Sequence, residues 1–194
     1  MQFPNTLKPY KGVIFFVIAL LSAHFFWKFT VIGDESGDRI IFLGLLDISQ
    51  PFIFMAEHVA NICYSILKFI GFNINLLPNN ILRFENGHGV QVVWACTGIK
   101  QAFIFTMILA FARGCWKYKL WYIPFGLICI YLFNIFRIVF ITSFVEKHPE
   151  WFDLLHEHLL KYLFYIMIFF IWVYWEEKLA DKSKTKCNKN DKET

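Results

Sequence analysis

What most constrains this chain is the length of its apolar runs. Residues 13–32, 95–112, 120–144 and 159–175 each approach the roughly 20 apolar residues that cross a hydrocarbon slab about 30 Å thick. Of 194 residues, 57% are hydrophobic and 20% aromatic, more apolar surface than a soluble domain of this length needs. The sequence therefore predicts an all-α integral membrane protein with about four transmembrane helices. One polytopic domain is expected over residues 1–175, followed by a charged cytoplasmic tail over 176–194.

The segments between the runs carry the polar residues. Residues 33–50 hold Asp34, Glu35, Asp38 and Asp47 against a single Arg, as an outer loop with a short apolar insert would. Residues 52–70 repeat apolar positions at helical spacing, but Glu57, His58, Asn61 and Lys68 interrupt them. Burying those groups costs several kcal/mol, so an amphipathic helix lying on the outer interface is expected there. Residues 72–94, with Pro78, Asn79, Asn80 and Gly87 between β-friendly stretches, read as a short hairpin-like element.

Charge sets the expected orientation. The linker from Arg113 to Lys119 and the tail are both basic, so both are placed in the cytoplasm, as are Lys8 and Lys11. The 72–94 segment and the 146–158 connection then lie outside, and the count closes only if residues 52–70 do not span. A net charge of +4, gathered mostly in the tail, is not a nucleic-acid signature. The five cysteines, at 63, 96, 115, 129 and 187, show neither C-x-x-C nor zinc spacing, so no disulfide framework and no metal site are expected.

One polar stretch stands at the mouth of an apolar run: Trp94-Ala95-Cys96-Thr97-Gly98-Ile99-Lys100-Gln101. Thr97 can cap the first free N–H groups of the helix, and the positive end of its dipole favours thiolate over thiol at Cys96. Lys100 shares the face of Cys96 if the helix already includes the cysteine. Taken alone, Cys96 reads first as a small apolar residue packed at a helix end.

Two further sites alter that balance. Arg137 lies about 25 Å from the cytoplasmic start of its run, towards the outer surface, and Asn134 one turn earlier shares its face. An intramembrane Arg with a polar neighbour marks a functional site by default. At the mouth of the last run stand His156 and His158. Residues two apart on an α-helix point in nearly opposite directions, so only one of these can face the bundle, and the spacing does not fit an H-E-x-x-H metal site. A thiol, a cation and an acid–base group thus converge on one layer, the inventory of thiol acyl transfer. Cys115, at the opposite face, excludes a dithiol oxidoreductase.

In order and separation, Ala95-Cys96-Thr97-Gly98, Asn134-x-x-Arg137 and His156 before an aromatic final helix resemble the exosortase/archaeosortase family of membrane cysteine transpeptidases, over residues 72–175. The resemblance implies Cys96 as nucleophile, with Arg137 and His156 completing the catalytic group. Asn134, Lys100 and Thr97 are supporting residues, and His158 is the alternative histidine. It also implies secreted, membrane-anchored substrates whose C-terminal signal combines a short motif, a helix and a basic cluster. No metal or organic cofactor is expected. Thr97 stands where Ser is commoner in the family and Leu160 where Gly is frequent, and the extra N-terminal spans of longer exosortases are not expected. The competing reading is a non-enzymatic multi-pass assembly or transport subunit, with Arg137, His24 and Glu57 as structural contacts.

Overall fold

The computed structural model describes residues 11–33, 39–183 and 185, with the backbone alone for Lys11, Glu157 and His158. Asp34, Glu35 and Asp38 of the expected acidic loop lie outside the described residues. Five α-helices dominate: α1 (Lys11–Thr30), α2 (Ser49–Ile70), α3 (Ile99–Phe111), α4 (Trp116–Val145) and α5 (Leu160–Tyr174). Among the described residues, four helical stretches, 12–30, 49–70, 116–145 and 149–183, are long and apolar enough to cross a membrane. Helices suit that environment because they satisfy every backbone polar group internally.

The set of long helices differs from the expected one in a single member. Residues 49–70 qualify, whereas α3 has only 13 residues. Its start is cut back by Gly98, whose φ of +81° breaks the winding and leaves residues Trp94–Thr97 as a separate 3₁₀ turn. At the other end, helical winding continues from α5 through a π turn, Trp175–Leu179, to Ser183, into the charged stretch that begins at 176.

Helices α1, α3, α4 and α5 pack around one core. Phe16, Ile104, Phe105, Ile108, Tyr122, Ile130, Phe164, Ile168 and Trp172 are all buried in it. Helices α3 and α4 approach closely at Gly126, where an added Cβ would stand 2.1 Å from the Phe105 ring. Near the basic linker, Lys119 is buried and donates from Nζ to the carbonyls of Ala110 (3.0 Å) and Ala112 (2.6 Å). It thereby satisfies carbonyls that the end of α3 leaves without helical partners. Trp175 Nε1 donates to the Arg113 carbonyl at 2.8 Å, tying the end of α5 to the same linker.

Helix α2 is amphipathic, as its sequence predicts. Val59, Ala60, Cys63 and Leu67 are buried against Ile135 and Ile138 of α4, while Glu57, His58, Asn61, Ser65 and Lys68 are exposed. Two small antiparallel sheets join the helices. The first, β1 (Val31–Gly33), β2 (Ile40–Phe42) and β3 (Leu46–Asp47), falls where a loop is expected. Its tight turn is carried by Leu43 and Gly44, both with positive φ. The second, β4 (Ile74–Leu77), β5 (Ile81–Phe84) and β6 (Gly89–Gln91), realises the expected hairpin as a three-stranded meander that leads to Cys96. Cys63, Cys96 and Cys129 are not disulfide-bonded, whereas Cys115 is, a link the scattered spacing does not suggest.

Candidate active site

Three segments remote in sequence meet at one end of the bundle. The 3₁₀ turn presents Cys96, α4 presents Asn134 and Arg137, and a π turn at Leu154–Leu159 presents His156. Cys96 Sγ stands 3.7 Å from His156 Nε2, within hydrogen-bond reach for sulfur. An Arg137 terminal nitrogen donates to the His156 main-chain carbonyl at 3.2 Å, and Asn134 Nδ2 donates to the Cys96 carbonyl at 2.8 Å. The His156 ring stacks on Phe152 with centroids 5.2 Å apart and planes within 7°, which fixes its orientation.

The level of this cluster follows from helix rise. Asn134 lies 18 residues beyond Trp116, about 27 Å along α4, and His156 lies 19 residues before Trp175, about 28 Å. Trp116 lies within the basic linker, and Trp175 packs against it. The cluster and the linker are therefore separated by about the thickness of a hydrocarbon core, roughly 30 Å.

A cavity of about 170 Å³ opens beside the thiol, shared by Cys96, Arg137 and His156. Trp27, Phe52 and Trp94 form its aromatic walls, and Lys100, Lys161 and Tyr165 also line it. Three cations and no carboxylate thus face this space among the described residues. A narrower gap of about 10 Å³ lies between Val90–Val92 and the same three residues. The far larger cavity of about 860 Å³, lined by Lys117, Trp121, Trp175 and Lys182, is at the linker end, and among the described residues its lining includes neither cysteine nor histidine. Among the described residues, no group of three His, Cys, Asp or Glu side chains could hold a metal.

The supporting residues behave less simply than their spacing suggests. Thr97 Oγ1 donates to the Trp94 carbonyl at 2.7 Å and receives the Ile99 N–H only at 3.5 Å, so it closes the 3₁₀ turn more than it caps α3. Lys100 reaches the cavity, but Cys96 is not part of α3, so the four-residue helical relationship between them does not exist. The side chain of His158 lies outside the described residues.

Lys161, Tyr165 and the Phe152 stack escape a reading based on α-helical spacing. At 100° per residue, side chains nine apart fall about 180° from one another, which would set Tyr165 opposite His156. His156 lies within the π turn, whose looser winding over the following residues reduces that separation, and both side chains line the same cavity. Only the aromatic and charged character of residues 152–165 hints at them in sequence.

Comparison with curated proteins and with solved structures finds no match. The model of the transmembrane exosortase matches residues 39–174, well over half of the chain and all of α2 to α5 with Cys96, Arg137 and His156, so the chain belongs to the transmembrane exosortase family.

Proposed function

We propose that the chain is a membrane-embedded cysteine protease and transpeptidase. It cleaves the C-terminal sorting signal of secreted, membrane-anchored proteins and passes the acyl product to an acceptor. The observation that carries this reading is the 3.7 Å approach of Cys96 Sγ to His156 Nε2 beside a buried Arg137. A scaffold tolerates these three side chains far apart; thiol acyl transfer requires them together.

In the proposed reaction His156 takes the Cys96 proton as Sγ attacks the substrate carbonyl carbon. A C–S bond forms and the carbonyl π pair moves onto oxygen. Arg137 supplies positive charge beside that oxygen in a site of low dielectric, where such charge acts strongly. Collapse of the adduct breaks the C–N bond, and His156 returns its proton to the leaving amine. The thioester then passes to an acceptor nucleophile or to water. Asn134 holds the Cys96 carbonyl, and Thr97 closes the turn that carries the thiol.

The site is assigned to the outer side of the cytoplasmic membrane, with both termini in the cytoplasm. The support is the basic linker about 27 Å away, since Lys and Arg are retained on the cytoplasmic side. The partners are then the substrate's C-terminal signal and the bilayer itself. Cys96→Ala tests the reading in cells co-expressing a secreted protein that ends in a short motif, a transmembrane helix and a basic cluster. Processing stops while the variant persists in the membrane; continued processing sinks the proposal.

A further inference from the structure

The hydroxyl of a buried tyrosine ordinarily finds a hydrogen-bond partner. Three of the buried or half-buried tyrosines obey this. Tyr122 donates to the Ile171 carbonyl at 2.8 Å, Tyr131 pairs with His58 Nε2 at 3.0 Å, and Tyr64 receives Lys68 Nζ at 3.1 Å. Tyr165 is half-buried too, yet its hydroxyl has no hydrogen bond among the described residues. It lines the same cavity as Cys96 and lies within range of the Arg137 charge.

The backbone has been bent to put it there. Tyr165 follows His156 by nine residues, a spacing that regular α-helix would send to the far side. His156 sits inside the π turn Leu154–Leu159, whose looser winding reduces that separation, and both residues line one cavity. Such a turn gives up regular helical hydrogen bonding, and π turns of this kind are frequent at functional sites.

We propose that Tyr165 is a catalytic residue whose hydroxyl donates a hydrogen bond to the substrate carbonyl oxygen as it becomes an oxyanion. The inference rests on the acyl-transfer reading of Cys96 and extends it. Arg137 already spends one donor on the His156 carbonyl, so a neutral O–H beside it completes the cradle for the developing charge. An unoccupied donor in place before the reaction needs no reorganisation when the charge appears.

Two reagents of different chemistry test this on the full-length protein in detergent. p-Nitrophenyl acetate acylates a thiol through a tetrahedral oxyanion: the acetyl C–S bond forms, the C–O bond breaks and p-nitrophenolate leaves. Iodoacetamide alkylates the same thiol by displacing iodide, with no oxyanion. Both rates are read at Cys96 by mass spectrometry of its peptide. Tyr165→Phe keeps the ring and removes the hydroxyl, and it lowers the ratio of acylation to alkylation at Cys96 by about tenfold or more. A ratio within about twofold of the unsubstituted protein overturns the role of Tyr165 while leaving Cys96 as nucleophile. Failure of both reagents to modify Cys96 in the unsubstituted protein overturns the acyl-transfer reading, and the Tyr165 role with it.

Discussion

Asn134 holds Cys96 from below: its side-chain amide donates at 2.8 Å to the cysteine's own carbonyl oxygen. Asn134 is fully buried, so the bond is shielded from water and helps fix the turn that presents the thiol. Asn134→Ala leaves that carbonyl without its donor, at a cost of about 1–3 kcal/mol. The expected result is a lower thermal midpoint together with slower modification of Cys96. Asn134→Asp should resemble it, because an ionised carboxylate cannot donate. An Asn134→Ala protein with unchanged midpoint and unchanged Cys96 reactivity would contradict this account.

Gly98 is the second restraint on the same turn. Its φ of +81° suits glycine, and a Cβ there would stand 3.2 Å from Asn134 Cγ. Gly98→Ala therefore suffers twice, from a left-handed backbone that costs other residues about 1–2 kcal/mol and from crowding. Thermal unfolding of the single and double variants separates the two. Asn134→Ala should relieve part of the Gly98→Ala loss, so the double variant is less destabilised than additivity requires. Strict additivity would mean that the two residues do not press on each other.

How far these relationships were legible in sequence depends on the period each obeys. The apolar runs announce α1, α4 and α5 because bilayer-length hydrophobicity has few other uses. The amphipathic stripe of α2 reads equally well, since Glu57, Asn61, Ser65 and Lys68 share one exposed face. Cys96, Arg137 and His156 are found by their order at the ends of successive apolar runs. What fails are features that break regular winding. Gly98 shortens α3 and detaches Cys96 from it, so Lys100 is not the helical neighbour its spacing implies. The π turn realigns Tyr165 with His156 through backbone hydrogen bonding that leaves no periodic trace. The β1–β3 sheet is built from strands of two or three residues, too short for alternation to register.

The contact between Cys96 and His156 gives a direct kinetic expectation. With the imidazole 3.7 Å from sulfur and held by Phe152, His156→Ala should slow iodoacetamide alkylation of Cys96 at pH 6 by about tenfold or more, within the usual range for a positioned base. Phe152→Leu frees the ring without removing it and should cost less. His158→Ala serves as the comparison. Equal loss on substituting either histidine would argue against a single acid–base partner for the thiol.

The last expectation concerns which face of the membrane the site occupies. Helix α2 buries Val59, Ala60, Cys63 and Leu67 against the later part of α4 and the second sheet, and its opposite face is polar and exposed. An orientation that crossed the bilayer would set Glu57, Asn61 and Lys68 against lipid, at a cost of several kcal/mol. One lying on the outer surface leaves them in water. If α2 lies there, the sheet that follows it is outside with Cys96, and the basic linker is inside. Asn79 and Asn86 are exposed at turns of that sheet, and Lys117 is exposed at the start of α4. In a background lacking other reactive cysteines, Asn79→Cys and Asn86→Cys should react with a membrane-impermeant maleimide in intact cells. Lys117→Cys should react only after the membrane is permeabilised. Protection of both sheet positions, with labelling of Lys117→Cys in intact cells, would place the thiol on the cytoplasmic side and remove secreted proteins from its reach.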